Sequence, residues 1–322
     1  MRLSHRKQNA SEPLGVSLRC LESAMYRRLR RLTPCGSDKA IRYDVIVMTS
    51  ITSTTSTMRS IVRITGTQSQ HTDDQLAIEE PLEIRIGAEP LAITMRTPGH
   101  DAELAAGFCL TEGIIDHADD IESIEPCRVA EYGNVVTVTL TDEAMAARKE
   151  QIDSTRRELY MSSSCGICGK QSIDRIQRKL TPITSALIIT PALLAALPQR
   201  MRQAQPTFDT TGGLHACALF TSDGELRILR EDVGRHNAMD KLIGSALLTA
   251  LLPLSQSILL VSGRASFELI QKAAVAGVPI LAAVGAPSSL AVDLAQEAGM
   301  TLIGFLREER MNIYTQAQRV KA

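Results

Sequence analysis

Two closely spaced cysteines are the residues whose types and spacing most directly suggest chemistry. Cys165 and Cys168 form a C-x-x-C pair within Ser162–Lys170, which reads SSSCGICGK. Such pairs bind metals, form redox disulfides or carry sulfur, and in each case the reactive form is the thiolate. The flanking serines and glycines predict a flexible polar loop, in which Lys170 would help to hold a thiolate. The spacing alone leaves redox chemistry and sulfur transfer equally open.

A structural metal site is disfavoured. A closed zinc site needs about four ligands, and the sequence contains no second C-x-x-C pair. Cys127, His215 and Cys217 could complete a ligand set only if tertiary structure brought them together. A thioredoxin-like pair would open a helix in a βαβ unit, and the helix predicted after Lys170 fits that description only in part. We therefore predict no bound metal.

Three turns in the second half of the chain predict an anionic ligand. Each follows a predicted buried strand, and in a parallel sheet ligands bind beyond the carboxyl ends of the strands. Two of the turns open helices, whose first N–H groups favour anions. Arg264, Arg307 and Arg310 add guanidinium groups suited to phosphate. The turns are Ser262–Glu268 (SGRASFE), Gly285–Ala291 (GAPSSLA) and Phe305–Arg310 (FLREER).

A further cluster of polar residues lies at the junction of a predicted strand and helix. The segment Glu231–Asn237 reads EDVGRHN, and Asp240 and Lys241 follow it within one helical turn. His215 lies within a preceding strand, where a lone histidine is more often a core residue than a catalyst. The concentration of polar groups beside Gly234 predicts a functional role for the cluster.

The elements around these residues predict an α/β fold in the second half of the chain. Apolar strands alternate with amphipathic helices from residue 236 to residue 306, which is typical of a parallel sheet covered on both faces. A hairpin precedes this alternation, with its turn at Ser222-Asp223-Gly224. Thr190 is a predicted N-cap before Pro191. These elements predict a three-layer α/β domain.

The first half of the chain predicts an extension and a smaller unit. Residues 1–75 are basic and Ser/Thr-rich, and we expect them to be disordered. Residues 76–160 predict a small α+β subdomain: a hairpin around residues 87–90, a helix with Asp101 as N-cap that stops at Gly113, and a strand from Asn134. The α/β core with the cysteine loop would span 161–315, and a tail would span 316–322.

Composition excludes several classes of function. The 322 residues are 44% hydrophobic with a formal net charge of −1, and aromatic residues make up only 3%. Scarce aromatics and near-neutral charge argue against a nucleic-acid partner. The chain has no apolar run of membrane-spanning length and no secretory signal, so we expect a cytoplasmic protein with reduced cysteines and no membrane partner. It also has no P-loop motif, which disfavours a P-loop nucleotidase.

Several long motifs, in order, resemble one family. TPGHDAELAAGF, SSSCGICGK, TGGLHACAL, EDVGRHNAMDKLIG, the long segment from SGRASFE to GFLR, and RMNIYT together resemble the formate dehydrogenase accessory sulfurtransferase family, FdhD. The resemblance runs from about Leu82 to Tyr314. It implies a cytidine-deaminase-like three-layer core with a smaller N-terminal α+β subdomain. It also implies a homodimer.

The resemblance further implies a sulfurtransferase that acts through a cysteine persulfide. A cysteine desulfurase would supply the sulfur, and the acceptor would be the bis-molybdopterin guanine dinucleotide cofactor that formate dehydrogenase requires. Cys165 would carry the persulfide, with Cys168 as its partner in transfer. Cys217 stands where the family more usually has alanine, which makes a third-thiol role conceivable. The implied cofactor-binding residues are Phe305, Leu306, Arg307, Glu308, Glu309 and Arg310.

Two alternative functions stay open on the sequence. The first is a non-catalytic chaperone that binds the molybdenum cofactor and the enzyme without carrying sulfur. The second is a zinc-dependent deaminase, since the implied fold is shared. Deaminases carry H-x-E and P-C-x-x-C motifs, whereas Cys217 takes the place of the glutamate here and Ser164 precedes Cys165. The sequence therefore favours sulfur transfer.

Overall fold

Three β-sheets and the helices that pack on them make up the described part of the chain. This computed structural model describes residues 54–126, 134–165, 182–308 and 310–321, with only the backbone described for 157–165. The sheets contain two, four and six strands.

The first sheet is an antiparallel hairpin of β1 (Ser56–Thr65) and β2 (Gln68–Ala77). The expectation of disorder up to residue 75 is therefore wrong from Ser56 onward. The Ser/Thr-rich composition of the segment suggests a linker, but threonine, isoleucine and valine favour extended backbone. Gly66, at φ +60°, supplies the tight turn between the strands. Residues 1–53 lie outside the described part of the chain.

The second sheet has the strand order β4-β3-β6-β5, with β3 at Glu80–Ile86, β4 at Glu89–Arg96, β5 at Ile121–Pro126 and β6 at Val135–Leu140. The predicted hairpin β3–β4 and the predicted strand β6 are confirmed. Alternate residues of β3 (Leu82, Ile84 and Ile86) are buried in the core that this sheet shares with the neighbouring helices. The period of two places one apolar face inward.

Helix α1 (Asp101–Thr111) lies against this sheet. Its N-cap is His100, in the left-handed conformation at φ 59°, so the predicted cap at Asp101 is one residue late. Asp101 instead occupies the first turn, where a carboxylate favours the positive end of the helix dipole. Gly113, at φ +70°, ends the helix as predicted and donates its N–H to the carbonyl of Leu110.

Helix α2 (Asp142–Cys165) was not predicted from the sequence. Its first turn carries Asp142 and Glu143, and it buries Ala144 and Ile152 on an otherwise polar surface. The helix spans the boundary predicted at residue 160, and it includes Ser162–Cys165, which we expected to be part of a loop. Serine costs an exposed helix position only a few tenths of a kcal/mol, so a polar run does not by itself end a helix.

The third sheet forms the centre of the core. Its order is β12-β11-β10-β9-β7-β8, and β9, β10 and β11 are parallel to one another as predicted. The sheet is nevertheless mixed, because the hairpin β7–β8 joins it antiparallel to β9 and β12 pairs antiparallel to β11. These strands are β7 (His215–Thr221), β8 (Leu226–Asp232), β9 (Ser257–Val261), β10 (Ile280–Ala283), β11 (Thr301–Gly304) and β12 (Asn312–Ile313).

Both faces of this sheet are covered, which confirms the predicted three layers. One face packs on α1, α5 (Arg235–Leu248), α6 (Phe267–Val275) and α7 (Ser289–Glu297). The other packs on α3 (Pro191–Gln203), which Thr190 caps as predicted, and on the C-terminal segment. A short helix α4 (Pro206–Thr211) precedes β7. The closer likeness to cytidine deaminases stays a prediction.

Two glycines allow α1 and α5 to cross at very short range. A Cβ atom on Gly107 would overlap the carbonyl oxygen of Asp240, and one on Gly244 would overlap that of Glu103. Neither glycine needs an unusual φ, so their role is to remove the side chain where two helix backbones meet. The contact fixes the small sheet, through α1, against the core helix α5.

A carboxylate beside this crossing ties α1 to β8. Glu103 Oε2 accepts from Arg230 Nε at 2.5 Å and Oε1 accepts from Nη2 at 2.7 Å, while Arg230 also donates to Ser245 Oγ. Burial raises the pKa of Glu103, but its hydrogen bonds and charge interactions with Arg230 and His100 outweigh burial and lower the pKa to about 2. The paired form of Glu103 is therefore its ionised form.

We expect Gly244→Ala to destabilise the protein even though alanine is the better helix former. The added methyl cannot fit without separating α1 from α5, and overpacking of this kind costs about 1–3 kcal/mol or more. Urea unfolding of the variant would measure the loss. Gly213→Ala is the matched control, because its Cβ would meet its nearest atom at an ordinary 3.5 Å. Equal stability of the two variants would contradict the prediction.

We expect Glu103→Gln to lower stability at pH 7 by about 3 kcal/mol, the value of a pKa depressed from 4.5 to about 2. Because the folded pKa is depressed, this contribution is present above pH 4.5 and disappears as the pH falls toward 2. The difference from the native chain should therefore shrink in acid. Urea unfolding across that range tests this, with the exposed Glu297→Gln as control. A difference that does not change with pH would show that the pair is not responsible.

Candidate functional site

The three turns predicted to bind an anion lie together at one edge of the main sheet. They follow β9, β10 and β11, and backbone hydrogen bonds join them beyond the strand ends. Gly285 N donates to Gly263 O at 2.9 Å, and Phe305 N donates to Gly285 O at 3.0 Å. The carboxyl ends of the parallel strands thus continue into one layer of turns, as the sequence predicted.

Glycine is required where these turns touch. A Cβ on Gly285 would lie 2.9 Å from Gly263 O and 3.1 Å from the Cα of Arg264, and one on Gly304 would lie 2.7 Å from Pro287 Cδ. Contacts that short would force backbone apart, so the turns are held rigidly by their own packing. The edge is preformed.

The segment from Phe305 to Arg310 divides into buried and exposed residues. Leu306 is fully buried in the core, so only its backbone can face a ligand. Phe305 is 37% exposed and adopts a left-handed conformation at φ 53°, which is strained for an aromatic residue. Arg307, Glu308 and Arg310 are exposed. Glu309, the sixth predicted cofactor residue, lies outside the described residues.

The exposed arginines of this edge pair with no carboxylate in the described part of the chain. Arg264, Arg307 and Arg310 make no side-chain hydrogen bond or ion pair with any residue in 54–126, 134–156, 182–308 or 310–321. Three guanidinium groups beside preformed turns produce a positive potential that attracts anions.

Most of the polar cluster at the end of β8 and the start of α5 is structural. Asp232 is fully buried, and its Oδ2 lies 2.6 Å from the Nζ of Lys241, which is equally buried. Asp232 also accepts from the backbone N–H groups of Thr97 and Gly234 and from Asn237 Nδ2. Every acceptor is used, so this carboxylate connects the end of the small sheet to the start of α5 rather than binding a ligand.

Glu231 and Asp240 are structural as well. Glu231 accepts from the first N–H groups of α4, those of Thr207 and Phe208. Asp240 makes a buried ion pair with Lys272 at 2.9 Å. The prediction that the whole cluster is functional is therefore too broad.

Arg235 and His236 are the cluster members that face the turns. His236 Nε2 lies 3.3 Å from Ser266 Oγ and 3.8 Å from Glu268 Oε2, at the start of α6. Burial and the nearby Arg235 lower the pKa of His236 to about 4, and they also lower the pKa of His215. Both imidazoles are neutral at pH 7 and can donate or accept hydrogen bonds. These residues lie in motifs that the sequence singled out, but the sequence does not indicate which of their side chains would lack an ion-pair partner in the fold.

The structure describes some of the cysteines more fully than others. Cys165 is the last residue of α2 and only its backbone is described, while Cys168 lies outside the described residues. Cys109 and Cys217 are buried, and burial raises the pKa of the Cys109 thiol to about 12 and that of the Cys217 thiol further still. Neither supplies a thiolate near neutral pH, which argues against a third-thiol role for Cys217.

The residues that the structure describes contain neither a metal-ligand cluster nor a membrane-spanning helix. No group of three or more histidine, cysteine, aspartate or glutamate side chains there is arranged to hold a metal ion. None of the helices in that part of the chain has the length and apolar character needed to cross a bilayer.

Comparison with known proteins gives consistent matches. The FdhD/NarQ family model matches residues 77–321. The sulfur carrier protein FdhD of Streptomyces coelicolor is 54% identical over 266 residues, which cover 81% of this chain and 94% of that protein. The sulfur carrier protein FdhD of Mycobacterium tuberculosis is 48% identical over 254 residues, 77% and 92% of the two chains.

A solved structure matches the fold. The crystal structure of a candidate formate dehydrogenase accessory protein from Desulfotalea psychrophila superimposes with a TM-score of 0.66 at 27% identity, covering 83% of this chain and 99% of that one. The family match covers the small sheet, the core and the layer of turns, and it confirms the resemblance seen in the sequence motifs. The chain belongs to the FdhD/NarQ family.

Proposed function

We propose that this protein is a sulfur carrier that receives sulfur as a cysteine persulfide and delivers it to a molybdenum cofactor. The observation that carries the proposal is the 54% identity, over 94% of its length, to a relative named as a sulfur carrier protein. The burial of Cys109 and Cys217 supports it, because it leaves the C-x-x-C pair as the better candidate for thiolate chemistry. The cytoplasm, where thiols stay reduced, is the proposed location.

The transfer proposed at the cysteine pair is thiol–persulfide exchange. The thiolate of Cys165 attacks the outer sulfur of a persulfide on a cysteine desulfurase, so that a new S–S bond forms on Cys165. The donor's S–S bond breaks and its cysteine leaves as a thiolate. Cys168 is the proposed partner in the onward transfer. No net oxidation or reduction is needed, because the sulfur moves between equivalent bonds.

The proposed acceptor is the bis-molybdopterin guanine dinucleotide cofactor, held at the layer of turns. Arg307 and Arg310 are exposed and have no ion-pair partner among the described residues, so they suit its pyrophosphate groups. The exposed ring of Phe305 offers an apolar surface to a flat ring system. Glu308 and Glu309 complete the proposed segment, and Leu306 contributes backbone only.

The proposed partners follow from this chemistry. A cysteine desulfurase would donate the sulfur and formate dehydrogenase would receive the finished cofactor, in keeping with the accessory role in the description of the solved neighbour. A homodimer is the proposed assembly. The alternative is a chaperone that binds the cofactor without carrying sulfur. It would use the same positive edge but would not need the thiols, so substitution of the cysteines distinguishes the two functions.

We expect Cys165→Ala and Cys168→Ala to abolish formate dehydrogenase activity in a strain lacking the native gene. After incubation of the purified native chain with a cysteine desulfurase and cysteine, mass spectrometry should find one added sulfur atom on Cys165 or Cys168. Both results are expected because thiol–persulfide exchange requires the sulfur atoms of Cys165 and Cys168.

Cys217→Ala is the control for both measurements, because that thiol is buried and its pKa is raised. It should keep activity and the adduct. Full activity of both Cys165→Ala and Cys168→Ala would favour the chaperone, and absence of any adduct on the native chain would refute sulfur transfer.

We expect Arg307→Ala and Arg310→Ala each to weaken guanine nucleotide binding by several-fold. An exposed arginine–phosphate contact is worth about 1 kcal/mol, and each 1.4 kcal/mol changes an affinity tenfold. Isothermal titration with GDP would measure the change. The exposed Arg227 of β8 lies outside the layer of turns, and Arg227→Ala is the control for loss of one positive charge. Titration curves identical to those of the native chain would exclude both residues from the site.

A further inference from the structure

Three polar side chains at the edge of the main sheet have hydrogen-bonding capacity that is little used. The side chains of His215 and Arg235 make no hydrogen bond or ion pair with any residue that the structure describes, and His236 has only its long contacts with Ser266 and Glu268. Arg235 is half-buried, and its Nε is fully covered without an acceptor. A buried donor left unpaired in a native structure points to a missing partner, such as an ion or ligand.

The three side chains belong to one cluster. His215 begins β7 and lies over Gly263, where a Cβ would be only 3.4 Å from its Nδ1. Arg235 and His236 are consecutive at the start of α5, and the positive charge of Arg235 lowers the pKa of both histidines, second only to burial. Ser266, at the start of α6, has its hydroxyl 3.3 Å from His236 Nε2 and hydrogen-bonded to Glu268. Donors from β7 and α5 therefore converge beside the layer of turns.

The buried carboxylates around the cluster are paired with other cations. Asp232 is committed to Lys241 at 2.6 Å, and Asp240 is committed to Lys272. Glu268 Oε2 lies 3.8 Å from His236 Nε2 and this carboxylate also interacts with the charge of Arg235, but its side chain is 55% exposed, so water screens it. A half-buried guanidinium and two neutral imidazoles form a set of donors suited to a tetrahedral oxyanion.

We propose that Arg235, with His215 and His236, forms a binding site for a phosphate or pyrophosphate group. Arg235 supplies the charge, the imidazoles supply oriented hydrogen bonds, and Gly263 leaves room above the turn. The site rests on the proposed function only for the source of the oxyanion, which would be the nucleotide part of the cofactor. A free inorganic anion would use the same donors.

The first test is isothermal titration of the purified full chain with inorganic pyrophosphate, GDP and guanosine. We expect the two phosphate-bearing probes to bind and guanosine to bind much more weakly. Arg235→Ala should weaken pyrophosphate and GDP binding about tenfold or more, since hydrogen bonds to charged groups dominate such sites. Arg235→Lys should recover part of the affinity, because it restores the charge without the planar fork. Arg227→Ala should match the native chain.

The probes separate the sources of the oxyanion. GDP binding that depends on Arg235 assigns the site to a nucleotide, whereas dependence seen with pyrophosphate alone assigns it to a free anion. Binding of both probes that is unchanged in Arg235→Ala, in protein whose melting temperature matches the native chain, would overturn the proposal. So would failure of the native chain to bind either probe. These titrations need no sulfur transfer, so their outcome is independent of the cysteine variants.

A second test uses pH, with sulfate as the probe because its charge is constant from neutral to mildly acid solution. A bound anion beside His236 should raise its low pKa, so binding takes up a proton and sulfate should bind more tightly as the pH falls. The groups that face His236 are Arg235 on α5, Ser266, Glu268 and Lys272 on α6, and His215 on β7. His236→Asn should flatten the pH dependence while leaving the fold intact. An unchanged dependence in His236→Asn would remove His236 from the site and refute the three-residue arrangement.

Discussion

The buried ion pair between Asp232 and Lys241 is the interaction on which the arrangement of the site depends. Both side chains are almost completely removed from water and lie 2.6 Å apart. Such a pair is tolerated only when every remaining donor and acceptor is satisfied, and here Thr97, Gly234 and Asn237 provide the additional bonds. One carboxylate at the end of β8 thereby fixes the end of the small sheet and the first turn of α5 at the same point.

Fixing that turn determines which neighbouring side chains are available for binding. Asp232 and Lys241 neutralise each other, so Asp232 is not available to Arg235 and His236, and Glu268 is the one described carboxylate within ion-pair distance of His236. The motif EDVGRHN therefore contains both structural and binding residues. Asp232 is structural because its charge is paired with the buried Lys241, whereas Arg235 and His236 are the proposed binding residues. The close crossing at Gly107 and Gly244 adds a second connection between α1 and α5, so the orientation of α5 is determined from two sides.

Much of the fold could be predicted from the sequence because the signals are local. The period-two pattern of β3, the cap at Thr190 and the apolar strands β9 to β11 each depend on neighbouring residues. The hairpin β1–β2 was missed because composition concealed its strand pattern, and α2 because its polar surface resembles a loop. The bond from Thr97 to Asp232 and the glycine crossing could not be predicted, because they join residues more than a hundred positions apart.

The same distinction explains why the sequence alone could not resolve the candidate site. Arg235, Arg264 and Arg230 look equivalent in the sequence, yet Arg230 is held by Glu103 within 2.7 Å, whereas the side chains of the other two make no hydrogen bond or ion pair with any described residue. A charged residue becomes available to a ligand only when the fold gives its counter-charges to other partners. In this protein Asp232, Asp240 and Glu231 are each committed to a structural contact. The buried acids beside Arg235 are therefore paired elsewhere and only the exposed Glu268 interacts with it, which no count of local charges would predict.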